Sequence, residues 1–240
     1  MTKPSQFKHE RNFKSMRFDI MTLFPEMIEA VLSESIIGRA RENGIISVYT
    51  HNIRNYSQDK HRRVDDTPCG GGMGMLMAVP PIDACHTNVL AKAPELKTKT
   101  VYMSPQGRVL TQGIARELAE YDRLIILCGH YEGVDRRAVE LLCDDEISIG
   151  DYVLTGGELP ACVLVDTVSR MIDGVLSDTE CFSKESFMNG MLEYPQYTRP
   201  IEYKGMSVPD VLLSGNHKKI EQWRKDAALE LTKKNRPDIL

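Results

Sequence analysis

Apolar residues along this chain recur with two periods, and the way the periods alternate predicts the architecture. The run RFDIMTLF after Met16 is strand-like. Pro25 then stands where a first helical residue belongs, and Ile28, Val31, Leu32 and Ile36 follow at helical spacing as far as Gly38 or Gly44. IISVYT is the next strand. Pro80 and Pro81 open a helix that reaches Leu90, APELKTKT leads into the strand TVYM, and residues 111–121 return to helical spacing with Ile114, Leu118 and Tyr121 on one face. LIILC is apolar throughout, as a strand covered on both faces must be. Residues 136–142 read as a helix, ISI as a strand end, and residues 158–172 as another helix. Strand and helix in this order predict an α/β domain built on a mostly parallel sheet.

Three stretches break the pattern. Residues 1–15 carry no apolar periodicity and are expected to be a disordered extension. From Asn52 to Met77 the chain is polar and then glycine-rich (CGGGMGMLM), which predicts a long loop of the kind that is usually functional. After Gly174 the polar stretch SDTECFSKES predicts an interdomain linker over residues 175–190. The main domain is therefore expected over residues 16–174, and a small helical domain over residues 191–240. There Asn216 can cap a helix with Ile220, Trp223, Ala227 and Leu231 on one face.

With 240 residues, 42% of them hydrophobic, there is ample material for a core. No run approaches the length of a membrane span, and the start, MTKPSQFKHERNFKSM, has no apolar segment of the secretory kind, so a cytoplasmic protein is expected. The cysteines form no CxxC pair, Cys85–His86 is the one adjacent Cys/His pair, and neither a disulfide framework nor a metal centre is expected. A net charge of −4 means that a nucleic-acid partner has to meet a local basic patch. Two patches exist: Arg54 with Lys60, His61, Arg62 and Arg63, and the cations from Lys218 to Arg236. Taken alone, each reads first as solvated charge.

Candidate chemistry gathers where the predicted strands end. Ser104-Pro105-Gln106-Gly107, Gly129-His130-Tyr131-Glu132-Gly133 and Gly150-Asp151-Tyr152-Val153-Leu154-Thr155-Gly156-Gly157 each follow an apolar strand. A parallel sheet collects such loops at its carboxyl edge, where open α/β sheets bind ligands. Glycine there lets the backbone approach a ligand or adopt φ > 0, and loop N–H and C=O groups can read an uncharged base edge. The familiar phosphate fingerprints fail: no GK[ST] follows Gly70–Gly74, and Met77 stands where a dinucleotide motif needs glycine.

The segments FDIMTLFPEM, DKHRRVDDTPCGGGMGMLM, SPQGR, CGHYEGVD, ISIGDYVLTGGELPA, DTVSR, YPQYTRP and VLLSGNH, in this order from about Met16 onward, together resemble the bacterial tRNA (guanine-N(1)-)-methyltransferase family. The resemblance implies a SPOUT-type α/β fold, a parallel sheet with a C-terminal trefoil knot, which is a rare exception to unknotted topology. It implies a homodimer with S-adenosylmethionine as methyl donor, and it leaves a Mg²⁺ requirement open. The cofactor pocket is then expected from Tyr102, Ser104, Pro105 and Gly107, from Gly129, Tyr131 and Glu132, and from Ser148, Ile149, Gly150, Asp151, Tyr152, Val153, Leu154, Gly156, Gly157 and Pro160. His130 departs from the arginine expected in many relatives.

Methylating N(1) of guanine requires a base to take its proton and a cation to hold the charge developing on O6. The resemblance assigns these roles to Glu185, where an aspartate is commoner, and to Arg170 of DTVSR. Read without it, Arg170 is an i,i+4 partner of Asp166 and Glu185 a solvated linker charge. The implied substrate is the guanosine immediately 3′ of the tRNA anticodon, position 37. RNA contacts are expected at His61, Arg62, Arg63, Gly71, Gly72, Ser186, Arg199, His217 and Lys218, with Tyr197 or Trp223 stacking unless Trp223 is core. A ribose 2′-hydroxyl target and a non-catalytic RNA-binding relative are the rival readings.

Overall fold

Leu124, Ile126 and Cys128 point to one side of strand LIILC and Ile125 and Leu127 to the other, and all five are buried, so the strand that carries them lies between two cores. The computed structural model describes residues 15–176 and 185–240, which fall into two compact units divided between Leu176 and Ser177. The extension expected over residues 1–15 lies almost wholly outside the described residues, as does the middle of the expected linker.

In the first unit the strands β1 (Met16–Thr22), β2 (Ile46–Asn52), β5 (Thr98–Val109), β6 (Arg123–Cys128) and β7 (Asp145–Ser148) form one sheet in the order β2-β1-β6-β5-β7. Every neighbour pair is parallel. One face packs Phe18, Ile20, Val101 and Ile126 under the helices α1 (Pro25–Leu32), α2 (Ser35–Glu42), α4 (Gln112–Leu118) and α6 (Glu158–Ser169). The other packs Met21, Ile125 and Leu127 under α3 (Val79–Ala91) and α5 (Arg136–Leu142), with Ile53, Val64 and Met77 from the long loop. That loop is irregular apart from a 3₁₀ turn at Ile53–Tyr56 and a two-stranded pair, β3 (Asp65–Asp66) with β4 (Leu76–Met77).

The single helix expected after Pro25 is two. The chain turns at Ser33 and Glu34, and Ser35 adopts φ 58°. The turn carries Ile37 and Ala40 onto the sheet and leaves Val31, an expected core residue, exposed. Gly38 sits where a Cβ would strike the Ser33 carbonyl, so the break depends on that glycine.

The second unit is less helical than expected. Its helices α7 (Asp210–Leu213) and α8 (His217–Asn235) follow a hairpin of β8 (Glu202–Tyr203) and β9 (Met206–Ser207). Pro195, Pro200 and Pro209 remove backbone donors through this region and disfavour helix. Asn216 caps α8 as expected, its side-chain oxygen accepting from Lys219 N–H at 3.1 Å.

The α3 side of the sheet also holds charge: Arg17 and Arg123 at the amino ends of β1 and β6, Asp19 midway along β1 and His51 near the carboxyl end of β2. Arg17 binds Asp19 through Nε (2.7 Å) and Nη2 (2.9 Å), and His51 Nε2 lies 2.7 Å from Asp19 Oδ1. Arg123, almost wholly buried, donates to Thr98 Oγ1 at 2.8 Å and to the Val89 carbonyl in the last turn of α3 at 3.1 Å, where the helix dipole favours a cation. Burial pushes the Asp19 carboxyl up, but the hydrogen bonds from His51 and Arg17 outweigh it and hold it below the ordinary value of 3.8. A carboxyl lowered on folding stabilises the fold above its unfolded pKa, and that contribution is lost as pH falls through the folded value. Asp19→Asn is expected to cost on the order of 3 kcal/mol at neutral pH, as removing one partner of a buried ion pair does. It should also flatten the acid limb of stability below about pH 4. Urea unfolding across pH checks both, and an unchanged acid limb in the variant assigns the effect to another carboxyl.

Candidate active site

Strand β5 does not simply end at Met103. Met103 and Arg108 both pair with Ile147 of β7, so the residues between them leave the sheet as an excursion and then rejoin it. Ser104 Oγ accepts from Gln106 N–H (3.1 Å) to shape the excursion, and Gly107 lies so close to the backbone of Glu146 and Ile147 that a Cβ has no room. The second loop leaves β6 at Gly129 and closes a turn in which Gly133 N–H donates to the His130 carbonyl. Tyr131 in this turn is held at φ 60°, a conformation disfavoured for a side chain of its size, and such outliers cluster at functional sites. In the third loop Ser148 Oγ accepts from Gly150 N–H, and Tyr152 OH donates to the Ile149 carbonyl. Gly157 N–H donates to the Gly129 carbonyl at 2.8 Å, tying the third loop to the second.

The three loops enclose one cleft of about 230 Å³ at the carboxyl edge of the sheet. Every residue expected in the pocket lines it except Gly107, which packs the excursion onto β7, and Asp151, which is exposed on the third loop. The expected use of glycine needs correction. Gly133 and Gly150 do adopt positive φ, but Gly129, Gly156 and Gly157 do not. Gly157 is required by packing: a Cβ there would sit 2.8 Å from Cys128 Cα and 2.9 Å from Gly129 N.

Sequence reading missed part of the wall. Glu146, near the end of β7, pairs with Arg136 of α5 (Oε1 to Nη1, 2.6 Å), and its Oε2 is buried without a hydrogen-bond partner. His130 Nδ1 is likewise unpartnered and lies 4.0 Å from Oε2 of Glu158. Glu158 itself is 2% exposed and accepts from Thr22 Oγ1 at 2.7 Å. The position of Glu146 two residues before Ser148 was the available signal. With Glu132 and Glu146 facing one guanidinium that is already paired, the cleft suits a cationic or neutral ligand and not a polyphosphate. Burial, then Glu146, pushes the Tyr102 phenol up to about 12, so it stays protonated. Burial raises the thiols of Cys128 and Cys162 as well, the latter to about 11, which leaves neither a thiolate nucleophile near neutrality. The described cysteines are free thiols.

The two residues expected to do the proton chemistry fall in different units. Arg170 caps the C-terminus of α6 in the first, half-buried. Glu185, also half-buried, lies in the second, where its carbonyl accepts from Met188 N–H. Of the residues expected to meet RNA, His61, Arg62 and Arg63 are exposed in one turn organised by Asp59, which accepts from His61 N–H at 2.8 Å and pairs with Arg63. The Arg63 side chain and the backbone donors hold the Asp59 carboxyl well below its usual range. Gly71 and Gly72 are exposed with φ 83° and 135°. In the second unit Ser186 Oγ accepts from Glu193 N–H, Arg199 is exposed, and His217 and Lys218 stand exposed in the first turn of α8. Trp223 is half-buried with its ring 6.3 Å from that of Tyr197. Among the described residues no group of three or more His, Cys, Asp or Glu is placed to hold a metal ion.

Glycine-bearing loops gathered over the carboxyl edge of a parallel sheet mark an α/β protein of the class that binds ligands at that edge. The chain belongs to the tRNA (guanine-1)-methyltransferase TrmD family, whose model matches residues 16–240. It is 57% identical over 93% of its length to a tRNA (guanine-N(1)-)-methyltransferase of Ruminiclostridium cellulolyticum, covering 96% of that protein. Proteins of the same name from Geobacter sulfurreducens (54%, covering 94% of this chain and 91% of the relative) and Clostridioides difficile (50%, 93% and 97%) are similar to it throughout.

Gly157→Ala is expected to force the third loop off the second and destabilise the first unit by about 1–3 kcal/mol, the usual cost of overpacking. Gly156→Ala should cost less, because the nearest obstacles there are the side chains of Glu158 and His130, which can shift. Urea midpoints of the two variants check the order, and equal midpoints would mean that the loop backbone yields.

Proposed function

We propose that this chain transfers a methyl group from S-adenosylmethionine to N(1) of the guanosine immediately 3′ of the tRNA anticodon, position 37. The observation that carries the reading is the convergence of three loops from separate strands on one cleft, in a chain of this family. The cleft fits the donor: backbone groups of the loops are available to an adenine edge, and the carboxylates of Glu132 and Glu146 favour its positive charge. When bound, the donor supplies an electrophilic methyl group.

The protein's own task is proton and charge handling at guanine. Glu185 takes the N(1) proton, and Arg170 holds the charge that develops on O6, each acting where the change occurs in the transition state. The turn at His61, Arg62 and Arg63, with Gly71 and Gly72 beyond it, meets the RNA backbone, and Ser186, Arg199, His217 and Lys218 add contacts from the second unit. This reading places the enzyme with its substrate in the cytoplasm; among the described residues no helix is long and apolar enough to cross a membrane.

We also read the chain as knotted and homodimeric. The excursion of β5 and the bond that draws Gly157 back to Gly129 support a chain threaded through its own loops. Support for the dimer comes from exposed apolar side chains: Met27 and Val31 on α1, Leu159 and Val163 on α6, which packs beside it, and Val153, 82% exposed, on the third loop. Exposed apolar patches mark interaction surfaces. Sedimentation at assay concentration should find a dimer, and an active monomer overturns that part of the reading.

Glu185→Gln should keep cofactor and tRNA affinity while losing roughly 10² to 10⁴ in methyl transfer, the range for loss of a general base. Glu185→Asp, which restores the commoner family residue, should retain measurable activity. Single-turnover rates with tRNA saturating, and mapping of the methylated nucleotide in a transcript, decide the matter. Near wild-type transfer by Glu185→Gln means another group is the base, and methylation elsewhere in the tRNA overturns the assigned target.

A further inference from the structure

The long segment between β2 and α3 is fastened to the second cleft loop at both ends. Near its start, Arg54 Nη2 donates to the Tyr131 hydroxyl at 3.1 Å. Near its finish, Glu132 N–H donates to the Met75 carbonyl (3.0 Å), Met77 N–H to the Gly133 carbonyl (2.9 Å) and Asp135 N–H to the Met77 carbonyl (3.0 Å). Gly74 completes the seam, because the Glu132 carboxyl group occupies the space a Cβ would need. Between these fastenings lie His61, Arg62, Arg63 and the exposed glycines 70–72.

Tyr131 is the hinge of this arrangement. Its ring lines the cleft, stands edge-on to the His130 ring at 5.1 Å, and is carried on the left-handed backbone that a tyrosine adopts only under constraint from its surroundings. One side of the residue faces whatever fills the cleft, and its hydroxyl faces the basic segment. The finishing bonds are backbone bonds that hold the loop whatever the cleft contains. The Arg54–Tyr131 bond is the side-chain link, so it can tighten or loosen as the ring settles against a ligand.

We propose that Arg54 is a positioning residue that, through Tyr131, couples occupation of the cleft to the set of the basic segment at 60–63. The proposal rests on reading the cleft as the S-adenosylmethionine site and that segment as an RNA contact. Coupling between two sites is reciprocal: if RNA held by the segment favours one placement of Tyr131, it must tighten the cofactor by the same factor by which the cofactor tightens RNA. A hydrogen bond that merely stabilised the fold would change both affinities, or the melting temperature, without changing that ratio.

The test uses the full-length protein with S-adenosylhomocysteine and a tRNA transcript as probes, titrating each in the absence and presence of the other. In the wild type, saturating tRNA should tighten S-adenosylhomocysteine by about 5-fold or more, the usual lower range for coupled sites. Arg54→Met keeps the length of the side chain and removes its donors; Tyr131→Phe keeps the ring and removes the hydroxyl. Each should reduce the coupling factor to below about 2-fold, and the double variant should lower it no further, because both remove one interaction. Arg54→Met should also bind S-adenosylhomocysteine alone within about 2-fold of wild type and melt at the wild-type temperature. Coupling that survives in either single variant, or is absent from the wild type, overturns the proposal. A wild type that binds no S-adenosylhomocysteine overturns the reading of the cleft itself, a separate and distinguishable failure.

Discussion

Ile147 of β7 is paired twice by one neighbour, and the active edge of the molecule depends on that double pairing. Because β5 meets it first at Met103 and again at Arg108, the intervening residues are expelled from the sheet and held over its carboxyl edge by ladder bonds on both sides. An ordinary loop fixed at one end by a strand and at the other by a helix would wander more. Gly107 makes the return possible by letting the excursion lie on the β7 backbone. The second loop then has a wall to stand against, and the third closes onto the second through Gly157.

The unit holds buried polar groups in two conditions. Within the sheet Asp19, His51 and Arg123 are buried, with Arg17 half-buried beside Asp19, and they are satisfied by one another, by Thr98 or by backbone, as buried charge must be. At the carboxyl ends Glu146 and His130 retain buried atoms with no hydrogen-bond partner. A satisfied network rigidifies, whereas an unsatisfied one carries a cost that a ligand can relieve. The same sheet thus carries a fixed network within it and a receptive surface over its carboxyl edge.

Much of this was legible in the sequence because it rests on periodicity. LIILC could only be a doubly covered strand, and residues 136–142 and the cap at Asn216 formed as local rules require. The three loops could be placed at one edge because parallel strands leave no other choice. Illegible features were those decided by distant partners. Nothing local says that Val31 should lose its place in the core to a turn at Ser33, since the gain lies in where Ile37 lands on the sheet. The reason for Gly157 is the Gly129 backbone, 28 residues earlier in the chain. Tyr131 lies in a loop that the sequence singles out, yet nothing in its immediate neighbours calls for a left-handed backbone. The family's motifs pointed to Arg170 and Glu185, roles that neither periodicity nor composition carries.

The sheet order has a consequence for how the chain is made. β1, the first strand, is flanked by β2 and by β6, so Phe18 pairs with Leu124 across more than a hundred residues of intervening chain. While a ribosome is still producing those residues, one side of β1 has no partner, and an unpaired apolar strand edge is a template for wrong pairings. Parallel pairings of such sequence separation are slow to close. The nascent chain therefore spends its most aggregation-prone interval before residues 123–128 emerge, and α1, α2 and β2, which precede that moment, are the elements available to shelter it.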